Sequence, residues 1–281
     1  MIGCVVISMS ELAHWPGVSD DERTLFKPVC RIVRRAGRLF QKDDTLRIQK
    51  KSAANYVTDV DLAVQNQIVR ALLQLTPDYD VIAEESDSNP SDSECPTWIL
   101  DPVDGTTNLM RGYRHSAISL ALARENQLRL GIIFNPYTDE LFTAISGEGA
   151  KRNDDPIKVS RYDRLSDCLI GFGTTPYARE NADKTFSLVK QVFLQSLEIR
   201  RSGSAALDLA YVACGRLDAF FELYLQPWDY AAGALILKEA GGVITDWQGN
   251  PPSFRQGGSI LATNGLVHPP LQDLIQNHLR G

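Results

Sequence analysis

The chain has 281 residues, of which 43% are apolar and 23% charged, and a formal net charge of −6. A globular chain of this length buries roughly three quarters of its unfolded surface. The balance of 35 acidic against 29 basic residues argues against a dedicated nucleic-acid binder, which needs a basic face to displace counterions from phosphates, but suits metal ions. Five scattered cysteines (Cys4, Cys30, Cys95, Cys168, Cys214) form no C-x-x-C pair, and the four histidines do not cluster. Neither a disulfide framework nor a zinc site is expected, and a reducing, cytoplasmic setting is. The apolar run 1–9 lacks a basic leader and a cleavage site, and 231–237 is stopped by Lys238 and Glu239, so no signal peptide or membrane span is expected.

In chain order, Ser19 with Glu22 resembles a capping box, and Leu25, Val29, Ile32, Val33, Ala36 and Phe40 repeat at helical spacing. Pro28 interrupts that pattern, so the helix is expected either from Ser19 or from nearer Thr24, which would place the proline in a tolerant first turn. A second helix is predicted over 59–75 from the stripe Val60, Val64, Ile68, Leu72 and Leu75, ending before Pro77. Short strands follow at 81–83, 98–100, 117–121, 130–134 and 141–145, with turns at 88–93, Asn135-Pro136 and 147–149. This half reads as a meandering sheet flanked by two helices. Beyond Arg152 the texture becomes alternating α/β, with a strand at 169–172, helices near 184–193 and 204–213, a strand at 219–221 and a helix at 229–240. No linker separates the halves, so the expectation is one unit of two packed subdomains, 1–152 and 153–281.

Four acidic features lie at element edges. Thr58-Asp59-Val60-Asp61 opens the second helix, where acids are favoured by the helix dipole, and Glu84-Glu85-Ser86 follows an apolar triplet. Asp101-Pro102-Val103-Asp104-Gly105-Thr106-Thr107-Asn108 follows the apolar Trp98-Ile99-Leu100, and is more than a turn requires. Two carboxylates flank a proline-stiffened backbone, Gly105 permits positive φ, and the Thr106 and Thr107 amides could open a short helix that receives an anion. Trp228-Asp229 precedes Ala231-Ala232-Gly233, a position where an aspartate ordinarily caps a helix. Together these supply hard oxygen ligands without histidine or thiolate, the preference of magnesium or manganese. Two such ions roughly 3.5 to 4 Å apart can orient an attacking water and neutralise the leaving oxygen of a phosphate ester.

These segments, with Arg201-Ser202-Gly203-Ser204-Ala205-Ala206-Leu207-Asp208-Leu209-Ala210-Tyr211, resemble the signature set of the inositol monophosphatase family, and within it the bacterial inositol-1-monophosphatases of the extragenic-suppressor type. The resemblance runs from the first helix to Asn264-Gly265. It implies an α/β (α+β) fold layered as an αβαβα sandwich, a cytoplasmic homodimer, and hydrolysis of small phosphate monoesters with two to three Mg2+ ions per site (Mn2+ possible), often inhibited by lithium. Carried over by position, Glu84, Asp101 and the Val103 carbonyl match ligands of a first metal, and Asp101, Asp104 and Asp229 those of a second. A third, weaker ion leans on Glu84. Asp61 and Thr106, with Glu84 close by, match the group that activates the water. The Gly105 and Thr106 amides match phosphate contacts, and Ala205, Glu222 and Asp229 match contacts to the substrate hydroxyls.

Some positions depart from the family pattern. Asn55 stands where the family often has aspartate, Gln226 occupies a variable position, and Lys50 or Lys51 falls where a mobile-loop lysine is usual, though a solvated basic pair is the simpler reading. Thr107-Asn108 after Asp-Gly-Thr, in place of lysine, favours an inositol or sugar phosphate over a nucleotide 3′-phosphate or histidinol phosphate, with fructose 1,6-bisphosphate as a rival. A regulatory contact with transcription machinery is the alternative of another class, and Arg34-Arg35 and Arg200-Arg201 are its candidate surfaces. No membrane partner is expected.

Overall fold

Side chains alternate across the strand that begins at Ala117, and this alternation sets the layers. Ile118, Leu120 and Leu122 are buried against one helical layer, and Ala117 and Ala121 against another. The computed structural model describes residues 20–41, 47–52, 55–86 and 95–280. Helix α1 (Asp20–Gly37) leads to the hairpin β1 (Ile48–Ser52) and β2 (Asn55–Thr58), helix α2 (Asp59–Leu75), β3 (Asp80–Ala83), β4 (Thr97–Asp104) and the short α3 (Thr106–Met110). Then come β5 (Ala117–Arg124), β6 (Gln127–Asn135), β7 (Glu140–Ile145), β8 (Ala150–Arg152) and β9 (Asp155–Pro156). The remainder comprises β10 (Leu169–Phe172), α4 (Ala182–Phe193), β11 (Glu198–Arg200), α5 (Ala205–Ala213), β12 (Ala219–Leu225), α6 (Pro227–Glu239), β13 (Val243–Thr245), β14 (Gly258–Thr263) and α7 (His268–Arg280).

Strands β3 to β9 form a seven-stranded sheet in sequence order, parallel at β3–β4 and antiparallel thereafter. A five-stranded sheet has the order β11-β10-β12-β14-β13. Leu25, Val29, Val33, Val64, Ile68 and Leu72 of α1 and α2 cover one face of the first sheet. Helices α5 and α6 fill the space between the sheets, where Leu207, Leu209, Leu235 and Ile236 meet Ile99 and Ile133 on one side and Phe220 and Ile260 on the other. Leu188 and Val192 of α4 and Leu271 and Ile275 of α7 close the outer face of the second sheet against Ile170, Phe221 and Leu261. The result is the αβαβα sandwich of α/β class that the resemblance implies. No helix among the described residues is long and apolar enough to cross a membrane.

Several elements differ from the sequence reading. The first helix does not begin near Thr24. It starts by Asp20 and continues through Pro28, with Ser19 of the expected capping box outside the described residues. A helix-interior proline costs about 3 kcal/mol, and the fully buried Val29 and Val33, with Leu25, offset it at about 1.5–3 kcal/mol each. Phe40 falls in a 3-10 turn rather than in the α-helix. Strand β4 runs to Asp104, so the first half of the acidic motif, Asp101 to Asp104, lies within the strand rather than after it. The expected turn at 88–93 lies outside the described residues. The β1–β2 hairpin, β14 and α7 had no sequence expectation, although Pro269 and Pro270 in the first turn and Leu271, Leu274 and Ile275 behind them are a readable helix start for α7.

Candidate metal and phosphate site

Residues three apart on a regular strand face opposite sides of a sheet, yet Asp101 and Asp104 share a face. The β4–β5 register accounts for this. Asp101 pairs with Ser119 and Asp104 with Ala117, so three steps on β4 oppose two on β5. The extra residue is a β-bulge at Pro102-Val103, where proline has no amide to lose from the ladder. Both carboxylates then turn toward the layer of α5 and α6, as Ile99 does one alternation earlier.

Each carboxylate is held by a different element. The Val103 amide donates to Asp101 Oδ1 at 2.8 Å. Asp104 Oδ2 accepts from the Ala206 amide at 2.8 Å and from the hydroxyl of Ser204, the N-cap of α5, so it sits at the positive end of that helix. Asp229 is not the N-cap of α6 but the N3 residue of its capping box. It stands in the helix's first turn behind Pro227 and reaches back to accept from the Gln226 amide at 2.7 Å. The Ser119 hydroxyl, opposite Asp101 in the ladder, donates to the Trp228 carbonyl at 2.9 Å and fixes that turn. Ligand oxygens of Asp101, Asp104 and Asp229 lie within 4.8 Å of one another. Asp101 is only 2% exposed, and burial first, then neighbouring carboxylates, raises the pKa of Asp101 and of Asp229. Burial raises Asp104 as well, against the lowering hydrogen bonds from Ser204 and Ala206. Glu84, on the turn after β3, is raised by burial and by Glu85 and lowered by Lys51 and by a hydrogen bond with Asp101.

Such a group of buried carboxylates is costly without a counter-charge. All the donors are hard oxygens, the chemistry of Mg2+ and similar cations. By donor type and grouping the residues fit divalent metal.

Asp61 and Thr106 are also brought together. Thr58 caps α2, accepting from the amides of Val60 and Asp61, and Asp61 Oδ2 accepts from the Thr58 amide at 3.0 Å and from its hydroxyl. This capping box leaves Asp61 Oδ1 to accept from the Thr106 hydroxyl at 3.1 Å, 45 residues away in sequence. Asp61 is fully buried, and burial pushes its pKa up to about 6. The Val103 carbonyl lies 3.2 Å from the same hydroxyl, whose single hydrogen goes to the stronger, charged acceptor Asp61. Gly105 precedes α3 with φ of +97°, and a Cβ there would stand 3.0 Å from the Gly203 carbonyl and 3.1 Å from that of His115.

Ala205 and Glu222, the positions expected to meet substrate hydroxyls, border this pocket. Ala205 is the first residue of α5, next to the Ser204 that holds Asp104. Glu222 lies on the same face of β12 as Phe220 and accepts from the Thr175 amide at 2.8 Å, and burial pushes it up to about 7. Two further residues stand at the site, Lys51, one of the two candidate loop lysines, and Tyr177, which was not singled out from sequence. Lys51 is not part of a solvated pair but forms an ion pair with Glu85, whose side chain is 3% exposed. The Glu85 amide donates to Gln65 at 3.0 Å. Tyr177 is half-exposed, and its phenol is raised by burial and by Asp229, Glu222, Glu84 and Asp104, which places it beside the acidic pocket. Only the Thr-Pro-Tyr sequence after β10 could have marked it. Of the candidate surface arginines, Arg34 pairs with Asp139 and donates to Asn153 at 3.0 Å, and Arg201 donates to Thr174 at 3.3 Å.

The sequence profile of the inositol monophosphatase family matches residues 22–280. The chain belongs to that family. An inositol-1-monophosphatase of Rhizobium meliloti (strain 1021) is 39% identical over 256 residues, covering 90% of this chain and 96% of the relative. A Nus factor SuhB of Xylella fastidiosa (strain Temecula1) is also 39% identical, covering 85% and 88%. Among solved structures, the extragenic suppressor protein suhB from Bartonella henselae superposes with a TM-score of 0.84 at 36% identity, covering 90% of this chain and 98% of that one. An IMPase/NADP phosphatase complexed with Mg2+ and phosphate gives 0.81 at 26% identity, covering 90% and 95%. Family membership supports a metal-dependent phosphatase, and it leaves open which phosphate ester is hydrolysed.

Proposed function

We propose that the chain is a Mg2+-dependent phosphomonoesterase that hydrolyses myo-inositol monophosphate to myo-inositol and phosphate. The observation that carries this reading is the convergence of Asp101, Asp104 and Asp229, from two distant segments, on one buried point beside the Asp61–Thr106 hydrogen bond. Glu84, Asp101 and the Val103 carbonyl would hold one cation, and Asp101, Asp104 and Asp229 a second. When bound, such cations neutralise the phosphate and lower the pKa of a water. Asp61 takes the hydroxyl hydrogen of Thr106, so the Thr106 oxygen presents lone pairs to a water and orients it, with Glu84 nearby to receive the proton. The Gly105 and Thr106 amides, at the first turn of α3 where no carbonyl one turn earlier serves them, would hold phosphate oxygens. Glu222, Ala205 and Asp229 would meet the hydroxyls of the leaving alcohol, and the half-exposed Tyr177 would bound that side.

Phosphate release from a panel of inositol, sugar, nucleotide and histidinol phosphates, with and without Mg2+, tests this reading. The expected result is metal-dependent turnover with the highest kcat/KM on inositol monophosphate. Preference for fructose 1,6-bisphosphate moves the reading within the family, and a folded protein inert to the whole panel overturns it. A homodimer, a cytoplasmic location and lithium inhibition accompany this reading on the family resemblance alone. The Nus factor name of one relative supports a second reading, a regulatory protein contact. A pull-down with the Asp104→Asn variant separates the two, because retained transcription proteins favour the second and none retained removes it.

A further inference from the structure

Asp208 is a buried carboxyl that none of these steps uses. It is 2% exposed and sits in the first turn of α5, so its side chain leans back toward that helix's N-terminus. The Ser202 hydroxyl donates to Asp208 Oδ2 at 2.6 Å. Ser202 begins the turn Ser202-Gly203-Ser204, which leads into α5 through Gly203 at a φ of +88°. The Ser202 carbonyl accepts from the Asn108 side chain at 3.0 Å, and that same amide donates to the His115 carbonyl at 2.7 Å. The far end of the turn delivers the Ser204 hydroxyl and the Ala206 amide to Asp104 Oδ2. The turn is therefore tied at one end, by Asp208 from beneath and by Asn108 from the side, while its other end fixes a carboxylate of the acidic pocket.

We infer that Asp208 is a positioning residue for the divalent-cation site, acting through Ser202 and the Ser202–Ser204 turn on the placement of Asp104. The inference rests on the proposed metal-dependent reading of the pocket. Without the anchor, the turn gains freedom that Ser204 and the α5 N-terminus pass to Asp104, whose oxygens then no longer meet a cation in a fixed place. Groups hydrogen-bonded directly to a metal-binding side chain, as Ser204 is to Asp104, typically change affinity by about 10–100-fold when lost, and Asp208 acts through that group. The bond needs an acceptor at Asp208 and not a charge, so asparagine preserves it.

The test is a Mg2+ titration of the full chain followed by melting temperature, with the Mg2+ concentration at half-maximal rate measured in parallel. Asp208→Ala is expected to raise the midpoint of the Mg2+-dependent Tm increase by about 10-fold or more, with the substrate KM at saturating Mg2+ changed far less. Asp208→Asn should restore the midpoint to within a few-fold of wild type. Ser202→Ala, which removes the other half of the bond at a less buried position, should shift the midpoint in the same direction, and the double variant should add little further. An unchanged midpoint in Ser202→Ala overturns the inference even where Asp208→Ala does not fold. So does a lowered metal-free Tm in Asp208→Ala with an unmoved midpoint, which marks support of the fold only. A wild-type Tm indifferent to Mg2+ overturns this inference together with the metal-dependent reading, whereas a wild-type response that the variants leave unmoved overturns this inference alone.

Discussion

Asp104 and Asp229 are each fixed by backbone amides before any ligand arrives, and each offers a remaining oxygen to the pocket. Replacing either by asparagine keeps the shape and removes a charge. Both Asp104→Asn and Asp229→Asn are expected to lose at least about 100-fold in turnover at fixed Mg2+. Near-normal phosphate release by either variant refutes its assignment as a metal ligand. Thr106→Ala removes the hydroxyl that Asp61 polarises and is expected to lower kcat by about 10²–10⁴-fold with little change in KM. A change in KM alone would place Thr106 in binding and not in water activation. The acidic residues themselves were legible in sequence, since carboxylates at element edges, with no histidine or thiolate among them, are the donor set that hard divalent cations select. The roles of Lys51, Tyr177 and Asp208 were not, because the Lys51–Glu85 ion pair spans 34 positions, the carboxylates near Tyr177 lie 45 or more positions from it, and Asp208 acts across a turn whose path local pattern does not encode. Glu85, Ser202 and the carboxylates around Tyr177 reveal those contacts only in three dimensions.

At the scale of elements, the seam between β6 and α6 shows how closely the layers approach. A Cβ added at Gly131 of β6 would stand 2.7 Å from the Ala232 carbonyl of α6. Gly131→Ala therefore forces strand and helix apart, an overpacking cost of about 1–3 kcal/mol. Tm should fall by about 2–4 °C for each kcal/mol in a chain of this size. Calorimetry checks this, and an unchanged Tm would show that the seam can open freely. Helix α2 was readable from its periodic apolar stripe and α4, α5 and α6 from composition and alternation with strands, to within a few residues, although α5 and α6 are buried almost all round between the two sheets. The start of helix α1 was left open between Ser19 and Thr24 at Pro28, because local propensity counts the lost hydrogen bond and omits the packing of Val29 and Val33 on the sheet. The β4 bulge was equally invisible. Its existence depends on how β5 pairs, and that pairing puts Asp101 and Asp104 on one face.

For the molecule as a whole, metal and protons are expected to set stability. Chelation of divalent cations should lower Tm, and restoring Mg2+ to a hundredfold excess over its Kd should return about 2.7 kcal/mol. A Tm indifferent to both chelator and Mg2+ would contradict binding in the folded state. Far from the pocket, His268 is buried between Thr245 and Thr263. The Thr245 hydroxyl donates to the Asp246 carbonyl, so it accepts from His268 Nε2 at 3.1 Å. The Thr263 hydroxyl accepts from the Gly265 amide and donates to Nδ1 at 3.1 Å. This network suits the neutral ring, and burial lowers its pKa from 6.5 to about 4. In that window the unfolded chain binds the extra proton, so this contribution is complete above about pH 6.5 and is lost as pH falls toward 4. The Tm difference between wild type and His268→Gln should narrow over that range, and a constant difference would show that His268 does not titrate in this way.

The net charge of −6 has a local meaning at this scale. Asp61, Glu84, Asp101, Asp104 and Asp229 are gathered in or beside one pocket, so the surplus that argued against a polyanionic partner is a means of holding a phosphate through cations. Sequence by itself determined the class of fold, the main helices and strands, the family, and the oxygen-only chemistry of the site. The elements and the oxygen-only chemistry follow from residue type, periodicity or short-range spacing, and the layered fold and the family from the resemblance of the acidic motifs. Tertiary structure alone decided that a bulge turns Asp104 toward Asp101, that the α2 capping box aims Asp61 at Thr106, and that α5 and α6 bring Ser204 and Asp229 to the same point. Those facts depend on strand register and layer packing, which join segments in places more than a hundred residues apart by contacts that no local pattern records.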